Sequence, residues 1–132
     1  MNKLSNKGQS LVLFVVMLPI FIIMGVYLID IGYAKYEDNK LNNVCVMIIK
    51  YGLNNIDNNP KNNMEELLKK NINDIEDYNI LVDNNNKFIK FTVNKTSSSF
   101  LGNIIGKSGY KEKCSYNGYI KDNKILIERD DI

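Results

Sequence analysis

Hydrophobic and polar positions follow three successive rhythms along this chain. The first is an uncharged run from Gly8 to Ile29. Counted residue by residue it is about 22 long and rises about 33 Å as a helix, enough to cross the ~30 Å hydrocarbon core of a bilayer. The second has helical spacing. Leu41, Val44, Cys45, Ile48 and Tyr51 or Gly52 form an i, i+3, i+4, i+7 stripe, so the same helix is expected to leave the membrane as a stalk. Gly52 and the Asn54 to Asn59 stretch end it. A second helix is predicted from an Asn63 cap with Glu66 as capping-box partner, its Met64, Leu67, Leu68, Ile72 and Ile75 lying on a sheet. The third rhythm has a period of two. Tyr78, Ile80 and Val82 alternate, as do Ile89, Phe91 and Val93 beyond Asn84-Asn85-Asn86, which predicts a hairpin. Tyr110, Cys114, Tyr116 and Ile120 mark a third strand, and Ile125 and Ile127 a fourth, with Asp122-Asn123 as the turn between them.

The expected fold is therefore α+β, a long amino-terminal transmembrane and stalk helix followed by a small antiparallel sheet with one or two short helices. The expected boundaries are a cytoplasmic basic tip over 1–7, a transmembrane helix over 8–34 continuing as stalk to about 52, and an extracytoplasmic α+β domain over 53–132 packed on the stalk. At this size the sheet and short helices would have a marginal core without the stalk.

The apolar run is longer than the core of a secretory signal and ends at Asp30-Ile31-Gly32-Tyr33-Ala34-Lys35, which offers no small-residue cleavage pattern, so a retained anchor fits better. Lys3 and Lys7 precede it, while Lys35, Glu37, Asp38 and Lys40 nearly balance after it. The positive-inside rule then places the amino terminus in the cytoplasm and the rest of the chain outside the cell membrane. Tyr27, Tyr33 and Tyr36 suit the outer interface, where a phenol buries its ring and wets its hydroxyl. Asp30 is costly in hydrocarbon but cheap at that boundary. Pro19, Gly25 and Gly32 admit two readings. They are surfaces for packing against other membrane helices, or residues that such helices commonly carry.

Composition narrows the chemistry. The formal net charge of the 132 residues is +2, and no basic footprint for nucleic acid exists. Histidine is absent, which removes the usual general base and the commonest metal ligand. Cys45 and Cys114 form no CxxC motif. They can join in a disulfide if both lie outside the cell, or remain two separate buried thiols. Gly102 to Ser108 has three residues between its glycines where a phosphate-binding loop needs four. Asp83 to Lys87 lacks the alternating carboxylates and closing glutamate of a calcium loop. Glu65, Glu66, Asp74, Glu76 and Asp77 read as a solvated helix face and its exit. No catalytic, cofactor-binding or metal site is expected, and no small-molecule substrate.

The stretch Gly8-Gln9-Ser10-Leu11-Val12-Leu13-Phe14, then Leu18-Pro19, Gly25, Asp30-Ile31-Gly32-Tyr33-Ala34 and Leu41-Asn42-Asn43-Val44 resembles the amino-terminal module of TadE/TadG-like proteins. Those are minor pilin-like components of tight-adherence (Flp-type) pili, a branch of the type IV pilus and type II secretion machinery. The resemblance covers residues 7 to about 50. It implies other pilin-like subunits and an assembly platform as partners. In that class a prepilin peptidase cuts after the glycine, which here is the Gly8-Gln9 bond. A glutamate five residues after the glycine is usual in the TadE branch, where its carboxylate pairs with a neighbouring subunit's new amine. Leu13 occupies that position and cannot make the pair, which places the chain nearer the TadG-like branch, or nearer a subunit that starts or caps an assembly.

Two functions follow as expectations. The first is a non-enzymatic, membrane-anchored minor pilin-like structural subunit that takes part in assembling such a pilus or a related secretion apparatus. The second is a single-pass anchored extracellular binding module, with Tyr110, Tyr116 and Tyr119 beside Lys111 and Lys113 as its face. Phe100, Leu101, Ile104 and Ile105 follow a serine run, and the family resemblance extends weakly to this segment. They serve either as a partner contact or as a short helix covering the sheet.

Overall fold

In a computed structural model, which describes residues 3–131, helix α1 runs without a break from Lys3 to Asn54. The first two residues of the basic tip and Ile132 lie outside the described residues. At 1.5 Å per residue α1 is about 78 Å long, and its two halves meet different surroundings. From Leu11 to Met24 every side chain is exposed, and the apolar stretch is long enough to cross a membrane. Among the described residues nothing else covers it. From Leu41 onward a stripe of Leu41, Cys45, Ile48, Ile49 and Leu53 is fully buried. The helix continues through Pro19, whose missing N–H leaves one carbonyl without its usual partner.

The end of α1 is tied off where Asn55 N–H donates to Tyr51 O and Gly52 O, at 3.1 and 3.2 Å. A 3₁₀ turn, Ile56–Asn58, and the left-handed Asn59 (φ 50°) reverse the chain. Helix α2, Lys61–Asn71, starts directly after Pro60 with no side-chain cap. The expected Asn63 cap is therefore corrected. Pro60, whose φ is pre-set and which has no N–H to satisfy, stands at the cap position, so the helix opens three residues earlier, and the Asn63 amide donates instead to Tyr51 Oη at 3.2 Å. α2 also packs chiefly on α1, touching the sheet only at its margin, because its buried Met64 lies directly over Gly52 of α1.

Strands β1 (Ile75–Asp83), β2 (Phe88–Ser97), β3 (Tyr110–Lys121) and β4 (Lys124–Arg129) form one antiparallel meander in the order β1-β2-β3-β4. Ile75, expected to end the helical face, instead begins β1. One face of the sheet, carrying Ile80, Ile89, Phe91, Val93 and Cys114, packs on the buried stripe of α1. In the first hairpin the Asp83 carboxylate accepts from Asn85 N–H, Asn86 N–H and the Asn86 side-chain amide. Led by the Asn86 backbone bond, these contacts hold its pKa below the usual aspartate value. In the second hairpin Asp122 and Asn123 both have positive φ, 52° and 59°, the twist that a two-residue connection requires.

Cys45 and Cys114 are joined, tying α1 to β3 across a sequence separation of 69 residues with Cα atoms 6.7 Å apart. Of the two alternatives that the sequence left open, the fold takes the crosslink, because Cys114 lies on the sheet face that meets the Cys45 side of α1. Closing a loop of this length stabilises the fold by on the order of 4 kcal/mol in the chain-entropy picture.

Helix and sheet approach closely where Gly118 meets α1. A Cβ at Gly118 would sit 2.4 Å from Ile49 Cγ2 and 3.0 Å from Leu53 Cδ1, whereas a Cβ at Gly25 would meet nothing. Gly118→Val is expected to cost about 1–3 kcal/mol through overpacking and Gly25→Ala to leave the domain unchanged. Thermal unfolding of the detergent-solubilised chain, followed by near-ultraviolet circular dichroism, measures both.

Candidate functional site

The fold buries a small set of polar side chains; apart from Ser115, which bonds Thr92, they lie at the contact between α1 and the lower part of the sheet. Asp30 is the first, only 3 % exposed although it follows directly on the apolar run. Its Oδ2 accepts from Ser99 Oγ at 2.6 Å and from Tyr110 Oη at 3.3 Å, and its Oδ1 from Phe100 N–H at 2.7 Å. Three donors, two from the β2–β3 connection and one from the start of β3, suit an ionised carboxylate. Burial, together with the nearby Asp30 charge, raises the pKa of the Tyr110 phenol and keeps it a donor.

The connection that supplies Ser99 and Phe100 is shaped by its own short helix and glycines. It contains helix α3, Phe100–Ile105, whose N-cap Ser99 accepts from Gly102 N–H at 2.7 Å while giving its own hydroxyl hydrogen to Asp30. A Cβ at Gly102 would lie 2.8 Å from Ser99 Oγ, and one at Gly109 (φ 106°) only 2.1 Å from Ser97 O. Both positions therefore require glycine for the chain to fold back on itself. α3 lies beside α1 and does not cover the sheet. The covering helix read from the sequence is thus corrected, because the Asp30 bonds draw the segment to the helix. Phe100, Ile104 and Ile105 are left 72, 72 and 67 % exposed, with Leu101 half-buried.

Two turns further along α1, Lys95 lies between two carboxylates, its Nζ 2.5 Å from Glu37 Oε2 and 4.0 Å from Glu112 Oε2. Glu112 Oε1 accepts from Ser97 Oγ at 2.6 Å, while its Oε2 has no hydrogen bond. Burial raises the pKa of Glu112, against the opposing pull of Ser97 and Lys95. Higher still, Tyr116 Oη donates to Asn42 Oδ1 at 2.9 Å. Asp30, Glu37 and Asn42 thus make a polar ladder that gives way to the apolar core at Leu41 and Cys45. Among the described residues no three His, Cys, Asp or Glu side chains are grouped to hold a metal ion.

The remaining residues singled out in the sequence lie apart from this ladder. Gly8, Gln9 and Pro19 are exposed, and Gly8, Gly25 and Gly32 have open space where a Cβ would point. Gly25 and Gly32 are seven residues apart and so share a face, and at 100° per residue that face is roughly opposite Asp30. The expected tyrosine face does not form. Tyr110 and Tyr116 turn towards α1, whereas Tyr119 lies on the other side of the sheet and donates to Glu128. Sequence reading missed the partners of Asp30 and the Glu37–Lys95–Glu112 group. The available signal was that Asp30 is the one acidic residue between Gly8 and Tyr36. Compared with family models, curated proteins and solved structures, the chain matches none.

Two outcomes test the ladder. Asp30→Ala is expected to speed hydrogen exchange at the Phe100 amide by about tenfold or more, as loss of a charge-assisted hydrogen bond implies, while β2 and β3 amides away from the connection keep their protection. Because the folded-state pKa of Glu112 is raised, the folded chain binds that proton more tightly than the unfolded one. Its contribution is full below the unfolded glutamate pKa and lost as pH rises through the folded value. Glu112→Gln should therefore flatten the fall in melting temperature as pH rises above the ordinary glutamate range.

Proposed function

We propose that this chain is a non-enzymatic, membrane-anchored structural subunit of the minor pilin type. It would pack its span laterally against other pilin-like helices and dock its domain on their globular parts as a tight-adherence or related apparatus assembles. The observation that carries the reading is the division of labour along α1, a bare apolar half joined without a hinge to a half that forms the core of a small sheet domain. A single apolar amino-terminal helix of this kind fits a membrane anchor. The order Gly8, Pro19, Gly25, Asp30-Ile31-Gly32 and Leu41-Asn42-Asn43 resembles the TadE/TadG-like module and supplies the family part of the proposal.

Three features support the arrangement. Gly25 and Gly32 present a small-residue face opposite the docked domain, where a neighbouring helix could approach without obstruction. Lys3 and Lys7 favour a cytoplasmic amino terminus. The Cys45–Cys114 bond suits an oxidising compartment on the far side of the membrane. The binding-module alternative draws less support, since Tyr110 and Tyr116 are committed to α1. Leu13 leaves no carboxylate for a neighbour's amine, so the subunit fits the start or cap of an assembly, and its cleavage between Gly8 and Gln9 is not required by the reading.

A photoreactive residue at Gly25, introduced in cells that make the whole apparatus, is expected to give crosslinks to other small single-span proteins. Recovery of the uncrosslinked chain alone would contradict the proposal.

A further inference from the structure

The connections of the sheet differ sharply from one end to the other. Gly118 packs on Ile49 and Leu53 of α1, and the paired ends Ser97 and Tyr110 lie near Asp30. The strands therefore run along the helix, with the Asn84 to Asn86 and Asp122-Asn123 turns at the end remote from the apolar run and α3 at the near end. The remote turns are polar throughout. The near connection, Ser98 to Gly109, contains no acidic residue and one cation, Lys107.

Its height follows from α1. If the bilayer is centred on the run Gly8 to Ile29, Asp30 lies about 17 Å from the midplane, against a hydrocarbon half-thickness of about 15 Å. α3 begins at the bond to Asp30, and its Leu101 and Ile105 line one cleft of about 270 Å³ together with Asp30 and with Tyr27, which stands about one turn closer to the lipid. The exposed Phe100, Ile104 and Ile105 thus belong to a segment that lies beside Tyr27, itself 52 % exposed near the end of the apolar run.

We infer that α3 is a lipid-inserting wedge, with Phe100, Ile104 and Ile105 entering the outer leaflet and Lys107 meeting its phosphates. The inference rests on the reading of α1 as a membrane span. Three such side chains offer on the order of 400 Å² of apolar surface, about half of the ~800 Å² per partner of a standard protein interface. That area suits interfacial insertion, where apolar burial and attraction to phosphate add together. The domain is consequently held to the membrane at two points, the span and the wedge, and its tilt about the Asp30 level is restricted.

The chain has no tryptophan, so a single indole reports its own surroundings. Full-length Ile104→Trp is reconstituted at low density in phosphatidylcholine–phosphatidylglycerol vesicles, with acyl chains brominated either near the ester groups or near their ends. Its companions are Phe100→Trp as a second wedge probe, Leu18→Trp in the span and Leu81→Trp on the outer sheet face. The wedge probes are expected to show blue-shifted emission quenched best by the shallow bromines, Leu18→Trp to be quenched best by the deep ones, and Leu81→Trp to be quenched by neither. Quenching at Leu18→Trp with water-like, unquenched emission from both wedge probes would overturn the wedge and leave the anchor standing. An unquenched Leu18→Trp would remove the anchor and the wedge together. A blue shift that grows with protein density but ignores bromine would assign the surface to a second copy of the chain and overturn the lipid assignment.

Discussion

Because α1 passes without interruption from an apolar sequence to the core of the sheet, every element that packs on it inherits a fixed height along the helix. A flexible linker would let the domain drift. Here the register between α1 and β3 is set at three levels, by Asp30 with Ser99, Phe100 and Tyr110, by Asn42 with Tyr116, and by the Cys45–Cys114 bond. Sliding the sheet by one helical turn would leave Asp30 and Lys95 buried without partners, a loss that polar groups in a low-dielectric setting make large. The apolar contacts of Leu41, Ile48, Ile49 and Leu53 supply most of the cohesion but could be satisfied in neighbouring registers. The polar ladder selects one.

The ladder also accounts for where polarity sits. Close to the lipid boundary the contact between α1 and the sheet is made by carboxylates, hydroxyls and an ammonium, and farther away by aliphatic side chains. An apolar contact at the lower level would resemble the bilayer interior and compete poorly with it, since the hydrophobic effect gives no preference between lipid and side chain there. Hydrogen bonds to Asp30 do discriminate, and they bring α3 down beside Tyr27.

Much of the architecture was legible in local pattern. The length of the run from Gly8 to Ile29, the stripe from Leu41 to Ile48 and the alternation through Ile89, Phe91 and Val93 each depend on neighbours within a few positions, and each appears as read. So do both turns, the second through the tolerance of Asp122 and Asn123 for positive φ and the first through the Asp83 bonds to Asn85 and Asn86. The Asn63 cap failed because Pro60, a residue with its own fixed φ, opened the helix first. The docking of α3 failed for another reason. Asp30 and Ser99 are 69 residues apart, and no periodicity links a single acid at a membrane boundary to a serine in a distant loop. Lys95 and Glu112 sit at positions that alternate correctly with apolar neighbours, yet their charge hid their burial. The cysteine pair was legible as a question and answered only by the register that sets Cys114 over Cys45.

The central proposal is that α1 threads the membrane once and leaves the sheet domain on the oxidising side. The most direct measurement is the intact mass of the chain from cells quenched in acid and alkylated without reductant. The account predicts no alkyl group on either cysteine until a reductant is added, and one on each afterwards. Alkylation of both Cys45 and Cys114 in the unreduced protein would contradict it.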